Sequence, residues 1–170
     1  SYDWQLIRSK ITPRTKLIII NSPHNPTGSI ITAEDVRQLQ QIVEEFNLYV
    51  LSDEVYEHIV FDGKKHSSIS SNPFLKERSF VVGSFGKTYH VTGWRLGYCL
   101  APAAMMVEFK KVHQYNTFCP VAPMQFAVAD FMKNTSEYEN LSQFIQTKRD
   151  LFLNHIKESR WEVIPSSGTY

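Results

Sequence analysis

The sequence predicts a three-layer α/β domain on a mostly parallel sheet, followed by the start of a smaller α+β unit, and three observations carry that expectation. Residues 17–20 are an unbroken apolar run, Leu-Ile-Ile-Ile, the pattern of a strand buried on both faces. A helix-spaced segment separates this run from a second one at residues 49–51, and a β-α-β unit of that kind gives two parallel strands joined by a right-handed crossover. The chain has 170 residues, 42% hydrophobic and 21% charged, enough to bury one real core.

The elements follow in order. The first strand runs into a loop of turn formers, Asn21-Ser-Pro-His-Asn-Pro-Thr-Gly28. Thr32 with Asp35 has the form of a capping box, and Val36, Leu39, Ile42, Val43 and Phe46 then recur at helical spacing, which predicts a helix over 33–46 stopped by Asn47. Residues 57–77 are polar, carry Gly63, Asn72 and Pro73, show no sustained period, and read as an irregular surface excursion. Residues 80–83 make the next strand, 84–93 a loop or short helical turn, and 94–101 a further strand closed by Pro102. Amphipathic helices are expected over 105–115 and 124–132, separated by Pro120 and Pro123, and a long one over 137–159. Residues 161–164 are strand-like. The polar run 133–137 is the best boundary, dividing the chain into a large domain, 1–135, and the start of a small one, 136–170.

Charge and composition exclude several classes. With 18 basic against 17 acidic side chains there is no broad electrostatic footprint for nucleic acid or an anionic membrane. Apolar stretches are strand-sized, far below the ~18 residues that a bilayer span requires. Residues 1–10 lack the apolar centre of a signal peptide. Cys99 and Cys119 have no ligand or pairing pattern around them and read as buried, reduced thiols of a cytoplasmic protein. The missing initiator Met and the strand-like run near the end point to an internal piece of a longer chain.

Three polar clusters fall at the ends of the predicted parallel strands: His24-Asn25-Pro26-Thr27-Gly28, Ser52-Asp53-Glu54-Val55-Tyr56 and Ser84-Phe85-Gly86-Lys87. The carboxyl ends of strands form the ligand crevice of open α/β sheets, so the three converge on one site. Each also has a plain reading: Asn25 to Gly28 as a turn, Asp53 as a charge ending a strand, Lys87 as a solvated lysine. Against the last, Gly83, Gly86 and Gly93 around Lys87 permit close backbone approach to a ligand. Gly86-Lys87-Thr88 has the ending of a P-loop, but the earlier glycine would sit where Val81 stands. There is no GxSxG elbow, and His58, His66, His90 and His113 show no metal-ligand spacing. A Lys, an Asp, a Tyr, an Asn, a Ser and an Arg around one crevice fit pyridoxal phosphate. That cofactor needs a lysine for its Schiff base, a carboxylate at its ring nitrogen, donors for its phenolate oxygen, and cationic and hydroxyl groups for its phosphate.

Taken together, Asn25-Pro-Thr-Gly28, Ser52-Asp-Glu-Val-Tyr56, and Ser84-Phe-Gly-Lys87 with Gly93-Trp-Arg95 resemble the fold-type I, class I/II aminotransferases that depend on pyridoxal 5'-phosphate. The resemblance runs from about residue 16 to 133 and more weakly to 170. Residues 88–98 and 111–114 are similar to the methionine and kynurenine/glutamine transaminase branch. It implies that Lys87 carries the Schiff base, that Asp53 pairs with the pyridine nitrogen, and that Tyr56 and Asn25 hydrogen-bond the phenolate oxygen. It further implies that Ser84 and Arg95 bind phosphate and that Phe118 reaches the neighbouring subunit's site in a homodimer. The implied substrates are an uncharged amino acid (methionine, an aromatic one or glutamine) rather than aspartate, and a 2-oxo acid. Two rivals share the residues: a β-lyase acting on cysteine conjugates with the same cofactor, and the aminotransferase-like sensor half of a transcription regulator. Family members are more than twice this length, so the cofactor's ring-stacking aromatic and the arginine gripping the substrate carboxylate are expected outside these residues. The stretch alone is expected to be catalytically silent.

Overall fold

The computed structural model describes residues 2–134 and 136–170. The boundary expected between residues 135 and 136 involves Thr135, which lies outside the described residues. The elements are α1 (Trp4–Lys10), β1 (Leu17–Asn21), α2 (Ala33–Phe46), β2 (Tyr49–Asp53), α3 (Pro73–Lys76), β3 (Ser79–Ser84), α4 (Phe85–Thr88), β4 (Gly97–Leu100), α5 (Ala103–Asn116), α6 (Ala122–Phe131), α7 (Ser136–Glu139) and α8 (Leu141–Ile156).

The four strands lie in the order β1-β2-β3-β4. The first three are parallel and β4 runs antiparallel to β3. Register aligns Ile18 with Val50 and Ser79, and Ile19 with Leu51 and Phe80. Because side chains alternate across a strand, these two rows face opposite sides. On the first side α2 packs Leu39 and Val43 against Ile20, Val50, Ile69 and Leu75. On the second, Phe109 of α5 meets Phe80 at a ring separation of 6.0 Å, which makes the third layer. That layer does not reach β1, where Ile19 is 67% exposed. A strand buried on both faces was expected there. Instead Leu17 and Ile19 share a face that no described element covers, while Ile18 and Ile20 share the face under α2.

The capping box forms as the sequence implies. Thr32 Oγ1 accepts from the Asp35 N–H at 3.1 Å and Asp35 Oδ2 accepts from the Thr32 N–H at 2.9 Å. Asn47 ends α2 in the left-handed conformation, φ 51°. Helix α1 has no apolar stripe to announce it; Asp3 caps it, and Trp4 Nε1 donates to Asp35 at 2.8 Å. Burial alone would raise the Asp35 carboxyl, but the bonds from Thr32 and Trp4 outweigh burial and hold it below the usual carboxylate range.

Three further expectations are corrected. Residues 57–77 are not a surface excursion, since Ile59, Phe61, Ile69 and Leu75 are essentially inaccessible. Their apolar side chains are irregularly spaced because the backbone follows no regular element for most of this stretch. Residues 161–164 form no strand, and Trp161 and Ile164 are exposed, because no described strand lies beside them to pair with. Cys119 is exposed rather than buried; only Cys99 is partly buried, which pushes its thiol up.

Candidate active site

Parallel register brings the three polar clusters to one edge. Asn21, the last residue of β1, pairs with Asp53, the last of β2, and Asp53 with Val82, two residues before the end of β3 at Ser84. Alternation therefore puts Asn21, Asp53 and Ser84 on one face of the sheet as well as at one end. Asn21 also ties the loops together: its Nδ2 donates to the Asp53 carbonyl at 3.1 Å and its Oδ1 accepts from the Asn25 N–H at 3.0 Å.

Asn25, Tyr56 and Lys87 come together. Asn25 Nδ2 donates to the Tyr56 hydroxyl at 3.2 Å, and Lys87 Nζ lies 5.6 Å from the centroid of the Tyr56 ring. Tyr56 is 4% exposed, whereas Lys87 is half-buried and faces no carboxylate among the described residues. Asp53 keeps its place through Oδ1, which accepts from the Val55 N–H at 3.2 Å; among the described residues no donor reaches Oδ2.

Ser84 caps the short α4. Its hydroxyl accepts from the Gly86 N–H at 3.1 Å and faces the Leu96 carbonyl at 3.4 Å. Gly86 is required by packing, since a Cβ there would stand 2.9 Å from the Thr92 Cα. Arg95 is exposed, in the left-handed conformation at φ 57°, with Nη1 on the Thr92 carbonyl at 3.3 Å and no ion-pair partner among the described residues. Ser84 pairs with Gly97 across β3 and β4, so Arg95 lies two residues from that pairing. Phe118 joins none of these groups: it sits just past α5, 75% exposed, with no ring contact among the described residues.

Two features escape sequence reasoning. Tyr170 stands beside Lys87, 61% exposed, its ring centroid 5.9 Å from Nζ and 5.5 Å from the Tyr56 ring, edge to face at 89°. A contact across 83 residues of sequence leaves no local signal. The other is the buried Glu54. Its Oε1 accepts from Ser52 Oγ at 2.8 Å and from the Ile69 N–H at 3.0 Å, and its Oε2 meets His66 Nε2 at 2.7 Å. Burial alone would raise this carboxyl. The His66 hydrogen bond and charge, with the Ile69 and Ser52 bonds, overcome burial and hold it below the usual range. Glu57 lies within 4.8 Å of this pair and accepts from the Tyr98 hydroxyl, so the acidic groups here already have partners.

The profile of the family described as "Aminotransferase class I and II" matches residues 1–170. The methionine aminotransferase of Escherichia coli strain K12 is 46% identical over 169 residues, covering 99% of this chain and 44% of that protein. The kynurenine–oxoglutarate transaminase of Dictyostelium discoideum is 35% identical, covering 100% and 41%. The aspartate aminotransferase of Pyrococcus abyssi is also 35% identical, covering 96% and 43%. Among solved structures, Escherichia coli YbdL, described as having a methionine aminotransferase function, superposes with a TM-score of 0.96 at 44% identity, covering 100% of this chain and 45% of that one. The chain thus spans less than half the length of the relatives it matches.

Proposed function

Because the chain belongs to the class I and II aminotransferases, we propose that the whole protein moves an amino group between an amino acid and a 2-oxo acid with pyridoxal 5'-phosphate. The observation that carries this reading is the placement of Lys87 Nζ against Tyr56, itself held by Asn25, beside the shared carboxyl end of the parallel strands.

The donor set fits the cofactor. Asp53, with Oδ2 free of donors among the described residues, is the carboxylate that would hold a proton on the ring nitrogen. The Tyr56 hydroxyl and the Asn25 amide, already hydrogen-bonded to each other, would face the phenolate oxygen. Ser84 and Arg95 would hold the phosphate, and the guanidinium has no carboxylate among the described residues to compete for it. When bound, pyridoxal phosphate supplies an electron sink for the charge developing at the donor's α-carbon. Lys87 Nζ is the base that takes the α-proton and later returns it, with the Tyr56 and Tyr170 rings beside it.

The proposal extends to the donor and to a second subunit. Identity of 46% to a methionine aminotransferase, against 35% to an aspartate aminotransferase, favours an uncharged apolar donor. A second copy would cover the exposed Tyr115, Phe118 and Phe126 and take Phe118 into its own site. The test is an absorbance titration of the full-length protein with pyridoxal phosphate, followed by amino donors and one shared 2-oxo acid. A visible band that methionine bleaches, with the amino group appearing on the oxo acid, is expected. Absence of the band or of transfer would overturn the reading.

A further inference from the structure

Residues 166–170 are threaded between two loops far away in sequence. The Ser167 N–H donates to the Gly28 carbonyl at 2.8 Å, the Phe61 N–H to the Ser167 carbonyl at 2.9 Å, and the Thr169 N–H to the Ile59 carbonyl at 3.0 Å. Gly28 leaves room for this path: at φ 67°, a Cβ there would fall 2.2 Å from the Ser166 Cβ. The segment delivers the Tyr170 ring to Lys87.

Two cationic side chains hold the start of the segment: Lys64 Nζ donates to Ser167 Oγ at 2.8 Å, and the Arg149 guanidinium reaches Ser166. Arg149, on α8, forks onto Asp62 with Nη1 at 2.8 Å and Nη2 at 2.6 Å, and Nη1 also donates to the Ser166 carbonyl at 2.7 Å. Its Nε donates to Asp150 at 2.8 Å, and its carbon lies 4.8 Å from the centre of the Phe61 ring. The side chain is only 12% exposed. A surface ion pair whose sole task was to pin α8 to the 59–64 loop would need neither this burial nor the bond to a main-chain carbonyl. Ser142 and Gln146 on the same helix already reach that loop, at the Val60 carbonyl and the Asp62 N–H.

We propose that Arg149 is a positioning residue for the amino donor: by holding Asp62 and the Ser166 carbonyl together, it fixes residues 166–170 so that Tyr170 stands as a wall beside Lys87. The inference rests on the aminotransferase reading and adds a residue that touches neither cofactor nor reacting atoms. Lysine has three donors on one nitrogen but no planar fork, so it cannot reproduce the bidentate grip on Asp62 while also bonding the Ser166 carbonyl in this geometry. Tyr170 makes or breaks no bond in the reaction, so loosening it weakens donor binding in the ground and transition states alike, a rise in KM with kcat little changed.

The test uses the full-length protein loaded with pyridoxal phosphate and a double-mutant cycle of Arg149→Lys with Tyr170→Ala. Arg149→Lys is expected to raise the KM for methionine about fivefold to tenfold, with kcat within about twofold. In the Tyr170→Ala background the same change should shift KM by less than about twofold, because the wall it positions is gone. An equal KM effect in both backgrounds would make Arg149 a merely structural residue and overturn the proposal, as would an unchanged KM. Hydrogen exchange supplies a readout independent of turnover. The amides of Phe61, Ser167 and Thr169 should exchange at least about tenfold faster in Arg149→Lys while those in the middle of α2 do not change; uniform acceleration, or none, would overturn the proposal. If Arg149→Lys does not accumulate as folded protein, Asp62→Asn enters the same cycle with the same expectations. A parent protein that shows no transamination rejects the functional reading, and the exchange arm still decides whether Arg149 fixes the segment.

Discussion

Lys87 faces two aromatic rings and, among the described residues, no carboxylate, an unusual setting for the residue type most often found in open solvent. If its ammonium is the point of cofactor attachment, Lys87→Ala in the full-length protein removes both the visible band and the adduct trapped by borohydride. A reducible adduct persisting elsewhere in the variant would contradict that role. Glu54, next to Asp53 in sequence, is a different kind of residue: its carboxylate is buried and saturated by Ser52, Ile69 and His66. Its folded-state pKa lies below the ordinary value near 4.5. The stability it contributes is therefore present above about pH 4.5 and is lost as pH falls through the folded value. Urea midpoints measured from pH 6 downward should fall more steeply below about pH 4.5 in the parent than in Glu54→Gln, which has no such carboxyl to protonate; parallel curves would remove Glu54 from the acid response. Asp53 was legible in the sequence because it ends an apolar run. Glu54 was not, because its partners His66 and Ile69 lie in a stretch without any period.

At the level of elements, strands and helices with a strong period were readable, and what failed was whatever depended on distant partners. Helix α2 runs over the residues its spacing predicts because Thr32, Asp35 and Asn47 bracket an apolar stripe by local bonding alone. The stretch after β2 carries Ile59 and Phe61 into a second small core with Tyr56, Leu141 and Ile145, and α8 supplies two of those five side chains from 80 residues on. No periodicity can announce such a core, because two of its five side chains lie on another element. The predicted helix over 137–159 divides at Asn140 into α7 and α8, and Leu141 and Ile145, one turn apart, are the residues that turn inward. Phe61 is the keystone here, 1% exposed and roofed by the Arg149 guanidinium. Phe61→Ala should cost about 3–5 kcal/mol, a large part of the ~5–15 kcal/mol by which ordinary domains are stable. Urea unfolding of the full-length variant measures it, and a loss under about 1 kcal/mol would mean that the cluster collapses around the gap.

On the scale of the whole molecule, the polar edge of the sheet assembles from strands that are each short and individually unremarkable, and the parallel register makes one site out of three clusters. That convergence was legible because it follows from topology. Relatives named for methionine, kynurenine and aspartate match 96–100% of the chain, so the match in extent alone does not separate donors. A dicarboxylate donor would need a cation for its second carboxylate, and burying that group unpaired costs several kcal/mol. Arg149 does not offer itself, since Asp62, Asp150 and the Ser166 carbonyl already take its donors. The full-length enzyme is thus expected to give a higher kcat/KM for methionine than for aspartate with one shared 2-oxo acid, by about tenfold or more, which corresponds to 1.4 kcal/mol or more. A preference for aspartate would reject the donor assignment and leave aminotransfer intact.

The long sequence separations at the Tyr170 wall also set a clock. During synthesis Asp62 must wait 87 residues for Arg149, and Lys64 must wait 103 for Ser167. At about 5–20 residues per second, the second interval lasts roughly 5–20 s. β1 and β2 are made before that interval and β3 and β4 within it, so the Lys87 side of their polar edge stands open on a nascent chain.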